Sequence, residues 1–512
     1  MDASQAPSAK RARVDEDGTV ASNEKDETPL GPWEADSCSA VIFRLVRDET
    51  HVREQRSTTD AFGPSFTHQV FGENERIYGY RGLKIDIYMH CVTFHVLVEI
   101  SYTEKVKSGI LDRHSHRQAD DIEAKLKDVF TAGFTTDREE FINMLPLYNT
   151  AAASLPPTAT LLAEGPKAET CNSWRVVRLK LGSDAPEQIL QMHSRLEPMV
   201  LFYIDGASAI DGDDPRWDLL LLVTSDDEGN SAVAGFCTVY RFYAYPDSQR
   251  MRVSQFLVLP PYQGIGLGTH LLEAVYAMAR LDNALDVTLE DPTPGLRMMR
   301  NRVELKAATL APSMAAAVDA AVAQCVSTSQ EPKATGASCF DIPAELLKQA
   351  RCELKMTKVQ TLKCWEALLY TALVKKQGSH SAAEASLRAT VMRRLRTSSR
   401  SVYRSSKNKD VITTKTGFVM LRIAKGTNED VDVDAASREH EVGATEVDSA
   451  DPASHMEQAS GAVAAMIAAR SPMVIPSEDE QTHPEEEPAP TLDEQCKEVM
   501  QGLHELTSSL RC

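Results

Sequence analysis

A chain of 512 residues, 42% hydrophobic and 6% aromatic, is too long for one ordinary core; size scaling predicts about two to four folded units beside segments too polar to offset their ordering entropy. The net charge of -19 is concentrated: Gly426 to Cys512 holds 20 acidic against 4 basic residues, a net of -16, and Lys375 to Lys425 holds 13 basic against 2 acidic, a net of +11. No run approaches the roughly 18 uncharged apolar residues of a membrane-spanning helix. Met1 to Ser22 lacks a secretory signal's apolar core, and the 10 cysteines contain no Cys-x-x-Cys, which excludes a zinc ribbon and predicts a soluble protein of a reducing compartment.

In chain order, residues 1–32 read as disordered, with Lys10-Arg11-Ala12-Arg13 as a candidate nuclear-import signal. Ala40 to Leu45 and Leu83 to Ile100 are β-branched and partly alternating, hence strands, with Tyr78 to Gly82 as a turn between them. Asp120 to Phe130 opens on a capping Asp and places apolar residues at helical spacing. These predict a mixed α/β unit over 33–150. From Trp174 to Lys306 strands alternate with helices, predicting an α/β layer on a mixed sheet, assigned as a catalytic domain over 151–306. Residues 307–339, rich in Ala, Ser, Thr and Pro, read as a low-complexity surface insertion. Ile342 to Val374 reads as two helices and 340–425 as a helical basic unit; 426–512 reads as a disordered acidic tail, with one marginal helix from Leu492 to Leu510.

The most informative stretch is Arg252 to Arg280, where an apolar strand ends in Pro260-Pro261, then a glycine loop, then a strong helix former. Without Cβ atoms at Gly264, Gly266 and Gly268, consecutive N–H groups can converge on an anion at the helix N-terminus. A P-loop needs a lysine after its last glycine, and here Thr269 and His270 follow. A dinucleotide fold needs Gly-x-Gly-x-x-Gly, and here the glycines are spaced by two. Gln263, Gly266 and Gly268 fill Gln/Arg-x-x-Gly-x-Gly/Ala, which resembles motif A of the GNAT acyltransferases. That resemblance implies a loop from Gln263 through Gly264, Ile265, Gly266, Leu267 and Gly268 to Thr269 that holds the pyrophosphate of acetyl-CoA. The alternative is a ligand-free strand-to-helix turn.

Downstream, a strand ends in Glu290-Asp291-Pro292. Acyl transfer to an amine needs a proton acceptor there, because a lysine amine with a pKa of about 10.4 is protonated at neutral pH. Glu290 is the candidate base; a solvated acidic turn is the alternative. The likeness widens in Phe66-Thr67-His68-Gln69-Val70-Phe71-Gly72, Tyr78-Gly79-Tyr80-Arg81-Gly82, Asp120-Asp121-Ile122-Glu123, Asp213-Asp214-Pro215-Arg216-Trp217, Tyr245-Pro246-Asp247, Arg252-Val253-Ser254-Gln255 and Leu259-Pro260-Pro261-Tyr262. From about Trp33 to Leu395 the chain is similar to the catalytic subunits of type B histone acetyltransferases.

That resemblance implies a GNAT fold and direct transfer of acetyl from acetyl-CoA, without a metal, to lysines of the newly made histone H4 tail. By position it implies Glu290 as general base with Asp291 beside it, and Asp205 where the family usually carries the longer Glu. Phe256, Leu257 and Val258 would pair with the acetyl and pantetheine portion. Thr293 and Arg302 would contact the cofactor, with Gly295 replacing a polar side chain. Glu73, Asn74, Glu75, Trp217, Tyr240, Arg241 and Phe242 would line the groove for the H4 tail, with Asp211, Asp213 and Asp214 adding negative potential. Implied partners are histone H4, H3–H4 dimers and a WD-repeat histone chaperone touching Tyr243 to Arg250, with residence in nucleus and cytoplasm and no membrane. Two alternatives stay open: a non-histone or polyamine acceptor, and a chaperone component binding histones through the acidic tail. The +11 block suits DNA or that tail equally.

Overall fold

The computed structural model describes residues 30–106, 118–153, 158–168, 171–327, 340–375, 385–396, 410–413, 419–422 and 492–508. The Lys10 to Arg13 cluster, most of the basic block and the acidic tail before Leu492 lie outside the described residues.

In the first half, β1 (Glu34–Asp36) passes into α1 (Ser37–Ala40) because the Asp36 carboxylate accepts from the Cys38 amide. Then come β2 (Val41–Val46), α2 (Glu49–Arg53) and α3 (His68–Phe71). They are followed by β3 (Arg76–Tyr78), β4 (Tyr80–Arg81), β5 (Lys84–His90), β6 (Val96–Ser101) and β7 (Glu104–Lys105). Next are α4 (Ile122–Val129), capped by Asp121, β8 (Phe134–Thr135) and α5 (Arg138–Ala153). The largest sheet here runs β2-β5-β6-β8.

The second half builds one six-stranded sheet. Its strands are β9 (Thr160–Ala168), β10 (Cys171–Lys180), β11 (Trp217–Ser225), β12 (Ser231–Ala244), β13 (Ser248–Val258) and β14 (Val287–Leu289), in the order β14-β13-β12-β11-β10-β9. Pairing is antiparallel through β13; β14 is parallel to β13 because the chain returns through α7 (Leu267–Leu281). α6 (Glu187–Leu196) precedes β11 and tightens into a 3-10 turn through Phe202. α8 (Pro294–Leu310), α9 (Pro312–Ser327), α10 (Ala344–Leu354) and α11 (Lys358–Lys375) follow β14.

Four expectations are corrected. The units assigned to 33–150 and 151–306 share one core, in which Phe43, Ile85 and Ile87 join Leu219 to Leu222, Phe202 and Val275. The described residues through Thr390 form one compact unit, so α10 and α11 are not separate. The segment 307–339 is helical to Ser327, with Met314, Val318, Ala321 and Val322 buried, since these apolar residues share one helical face. In the other unit, Asp410–Thr413 and Val419–Arg422 pair as an antiparallel hairpin, because short β-branched and aliphatic runs favour strand over helix. Leu492–Ser508 is helical as expected.

Candidate functional site

A cleft of about 1090 Å³ opens where β13 and β14 part. β14 pairs only with Met251 to Val253, and the last ladder contact is the Glu290 amide donating to the Val253 carbonyl at 2.9 Å. Beyond it, Ser254 and Gln255 lie at a register shift and Phe256 to Val258 pair with β12 alone, so the other edge of β13 presents backbone groups to the cleft. The β12 register shifts between Cys237 and Val239, where three steps of β13 oppose two of β12. Such a bulge re-aims the strand at the point where the cleft begins.

The loop after β13 ends the cleft. Gly264 and Gly266 adopt φ of +81° and +88° with nothing within 4 Å of a would-be Cβ, and Gly266 is the N-cap of α7. The Thr269 amide donates to the Gly266 carbonyl at 3.0 Å, while the Leu267 and Gly268 amides before it have no intrahelical acceptor and carry the positive end of the dipole. Gly268 and Thr269 line the cleft with them. Ile265 and Leu267 do not: Leu267 is fully buried and Ile265 packs on the core, so these two positions support the loop from behind. Gln263 donates its side-chain amide to the Val258 carbonyl at 2.7 Å, closing the end of β13. Leu257 and Val258 are buried, and what they can offer a ligand is backbone; Phe256 is half-buried at the wall. Thr293 caps α8 by accepting from the Leu296 amide at 3.3 Å, and exposed Arg302 lies two turns on. An edge rich in backbone groups, then a Cβ-free anion cradle, then Arg302 fit an extended, amide-bearing ligand that ends in a diphosphate.

Glu290 and Asp291 lie at the β14 end, both exposed to the cleft. The Glu290 carboxylate accepts the Ser254 hydroxyl at 2.7 Å. Asp205 lines the same cleft, exposed, with one carboxylate oxygen 3.1 Å from His68 Nε2. The arrangement therefore gathers three carboxylates beside an exposed strand edge. Among the described residues no group of three or more His, Cys, Asp or Glu is arranged to hold a metal ion.

Reading the sequence missed Ser65, Phe66, Tyr203, Ile204, Met298 and Met299, which also line the cleft. Ser65 and Phe66 arrive because their amides donate to the Phe202 carbonyl, a long-range contact that no local pattern announces. The Tyr203 hydroxyl donates to the Gly63 carbonyl at 2.9 Å, and burial pushes its phenol well above the usual range.

The residues expected to line a peptide groove separate into three groups. Trp217, Tyr240 and Phe242 stack edge to face at centroid distances of 4.7 and 4.6 Å, forming an aromatic row. Tyr240 pairs across the ladder with Arg252, two residues before Ser254. Arg216 and Arg252 lie over Tyr240 and Phe242, each at 4.8 Å. Glu73 and Asn74 are exposed ahead of β3.

Two positions are corrections. Glu75 is buried, because its carboxylate accepts the Thr67 amide at 2.7 Å and its backbone carbonyl the Ser37 amide at 2.9 Å. Arg241 falls out of phase with Tyr240 and Phe242 on β12 and is held by Asp218 and Asp282, which Arg178 shares. Of the three further aspartates, Asp214 is engaged by Arg216 and the Tyr240 hydroxyl, whose bonds hold its carboxyl below the usual range. Asp211 and Asp213 are exposed.

Residues 33–205 match the family described as "Histone acetyl transferase HAT1 N-terminus", and residues 192–298 match the "Acetyltransferase (GNAT) family". The chain is 32% identical over 348 residues to a histone acetyltransferase type B catalytic subunit of Arabidopsis thaliana, covering 66% of this chain and 72% of that protein. A protein of the same description from Zea mays is 30% identical, with 66% and 70% covered, and one from Mus musculus is 31% identical, with 56% and 68% covered.

Proposed function

The chain belongs to the family of type B histone acetyltransferase catalytic subunits, and from that premise we propose that it acetylates lysines of the histone H4 tail with Glu290 as general base. It is an acyltransferase of histones built on the GNAT fold, and it uses acetyl-CoA. Acetyl-CoA supplies the activated acetyl group; the chain's residues supply position and proton transfer. The free edge from Ser254 to Val258 would hold the amide-bearing arm, and the amides from Gly264 to Gly268 with the Thr269 hydroxyl the diphosphate.

A lysine ammonium has no lone pair for attack, so its proton must leave first. Glu290 would take it. The Ser254 hydroxyl engages one carboxylate oxygen and fixes its direction, leaving the other for the amine, directly or through water. That bond, at the point where β14 leaves β13, is the observation that carries the assignment. Asp291 adds negative charge at the same turn.

The row of Trp217, Tyr240 and Phe242 would receive an extended Gly- and Lys-rich peptide, with Glu73 and Asn74 contributing polar contacts. Exposed Tyr243 and Tyr245, at 70% and 84%, support a surface for the WD-repeat chaperone of H3–H4. With such partners the chain would work in nucleus and cytoplasm.

The test is transfer of labelled acetyl to an H4-tail peptide. Glu290→Gln should lower kcat by about 10²-fold or more at neutral pH with acetyl-CoA binding retained. Near-normal turnover in a folded Glu290→Gln protein overturns the base assignment. Transfer to other acceptors, with none to the H4 tail, overturns the substrate assignment.

A further inference from the structure

His68 has no role in the reading above, yet it touches a cleft carboxylate. Its Nε2 lies 3.1 Å from an Asp205 oxygen, its Nδ1 3.9 Å from buried Glu75, and its ring 4.8 Å from Phe66. The surrounding bonds hold α3 against the segment that carries Asp205. The Gln69 side-chain amide donates to the carbonyls of Leu201 and Ile204 at 3.1 and 3.0 Å, and the Ser65 amide donates to Phe202 at 3.0 Å. The Thr67 amide in turn fixes Glu75 behind the imidazole. Asp205 by contrast is 76% exposed at its side chain, against 24% for His68. A short, exposed carboxylate has several rotamers, and a charge-assisted hydrogen bond from a half-buried ring selects one of them.

We infer that His68 is a positioning residue that holds the Asp205 carboxylate in the cleft as a second negative site for the incoming ammonium group, beside the one at Glu290. Asp205 sits one residue past Ile204, which lines the cleft as well, so fixing its rotamer fixes where an acceptor lysine is received. Phe66, His68 and Gln69 thereby gain separate tasks: cleft wall, carboxylate holder and segment clamp. The inference rests on the acetyltransferase reading, and its role is in acceptor binding rather than in proton abstraction.

The experiment is steady-state transfer by the full chain to an H4-tail peptide, with both substrates varied. His68→Phe, which keeps the packing on Phe66 and loses the donor, should raise the peptide KM about tenfold, the worth of one charge-assisted bond. The acetyl-CoA KM should stay unchanged. His68→Gln, which retains an N–H at similar reach, should recover most of the loss. Asp205→Asn should raise the peptide KM comparably, and adding His68→Phe to it should cost nothing further. Since Asp205 is exposed, that arm reads out even where the aromatic variant folds poorly. A His68→Phe loss undiminished in the Asp205→Asn background, a parallel change in acetyl-CoA KM, or an unchanged peptide KM in Asp205→Asn overturns the inference. Failure of the base assignment is separate, since it shows as normal kcat in Glu290→Gln.

Discussion

Gly266 and Gly295 both lie in the cleft wall and both have open space around a would-be Cβ, but only Gly266 holds a left-handed backbone, at φ +88°. A side chain at Gly266 is opposed by the chain's own sterics, at about 1–2 kcal/mol, and it would crowd the amides that start α7. Gly295 sits in the first turn of α8, where alanine lowers the entropy of the unfolded chain. Gly266→Ala should therefore lower Tm and weaken acetyl-CoA binding, whereas Gly295→Ala should raise stability by about 0.4–1 kcal/mol. Thermal melts with and without acetyl-CoA check both, and equal effects at the two sites contradict the backbone argument. The same distinction explains what was legible in the sequence. Loop glycines and Glu290 were readable because a strand, a turn and a helix in that order fix where backbone amides point. Glu75 was not, because its inward turn depends on Ser37 and Thr67, remote in sequence. The separation of Arg241 from its aromatic neighbours was written in the two-residue period of β12, but charge alone concealed it.

β14 has three residues and one ladder neighbour, so its position depends on what clamps its base. Fully buried Asp286 accepts from Arg250 at 2.6 and 3.0 Å and from Arg351 of α10 at 2.6 Å. The Val287 amide donates to the Lys355 carbonyl, and its own carbonyl accepts from Arg300 of α8, both at 2.9 Å. Three elements thus hold the strand that delivers Glu290. Removing Asp286 takes from buried Arg250 and from Arg351 the carboxylate that both engage, so Asp286→Ala should cost about 3–5 kcal/mol. Arg351 is 29% exposed at its side chain, and Arg351→Met should cost less, about 1–2 kcal/mol, while still lowering kcat. Denaturant midpoints and transfer rates on the two variants check this; unchanged kcat in Arg351→Met would show that α10 does not steady the strand. α10 and α11 were legible from apolar residues spaced three and four apart. The dependence of β14 on them was not, since an ion pair across 65 residues leaves no local signature. β9 and α5 escaped notice for related reasons: α5 carries an internal Pro146, and β9 is completed only by its partner β10.

At the scale of the whole molecule, two sets of buried groups oppose each other in acid. Burial holds His90 down to about 4, His193 to about 4 and His95 to about 3. Burial also pushes Asp218 up to about 6 and raises Glu197 and Glu304. A histidine with a depressed folded pKa contributes stability that is complete above about pH 6.5 and lost as pH falls toward 4, because the unfolded chain binds the extra proton. A buried carboxylate with a raised folded pKa has the opposite slope in the same window. The two sets pull in opposite directions between pH 4 and 6, so the informative quantity is a difference between variants. His90 suits it because its neutral form is fully bonded: Nδ1 accepts from the Thr93 amide at 3.1 Å, and Nε2 donates to the Asn149 side-chain oxygen at 3.1 Å. Protonating Nδ1 breaks the first bond and buries a charge. The advantage of the wild type over His90→Asn should accordingly shrink by on the order of 2 kcal/mol between pH 7 and pH 5. Urea unfolding of both proteins at the two pH values measures it. A difference that stays constant would mean that His90 takes up its proton equally in the folded and unfolded chains, and that Thr93 and Asn149 do not favour the neutral ring.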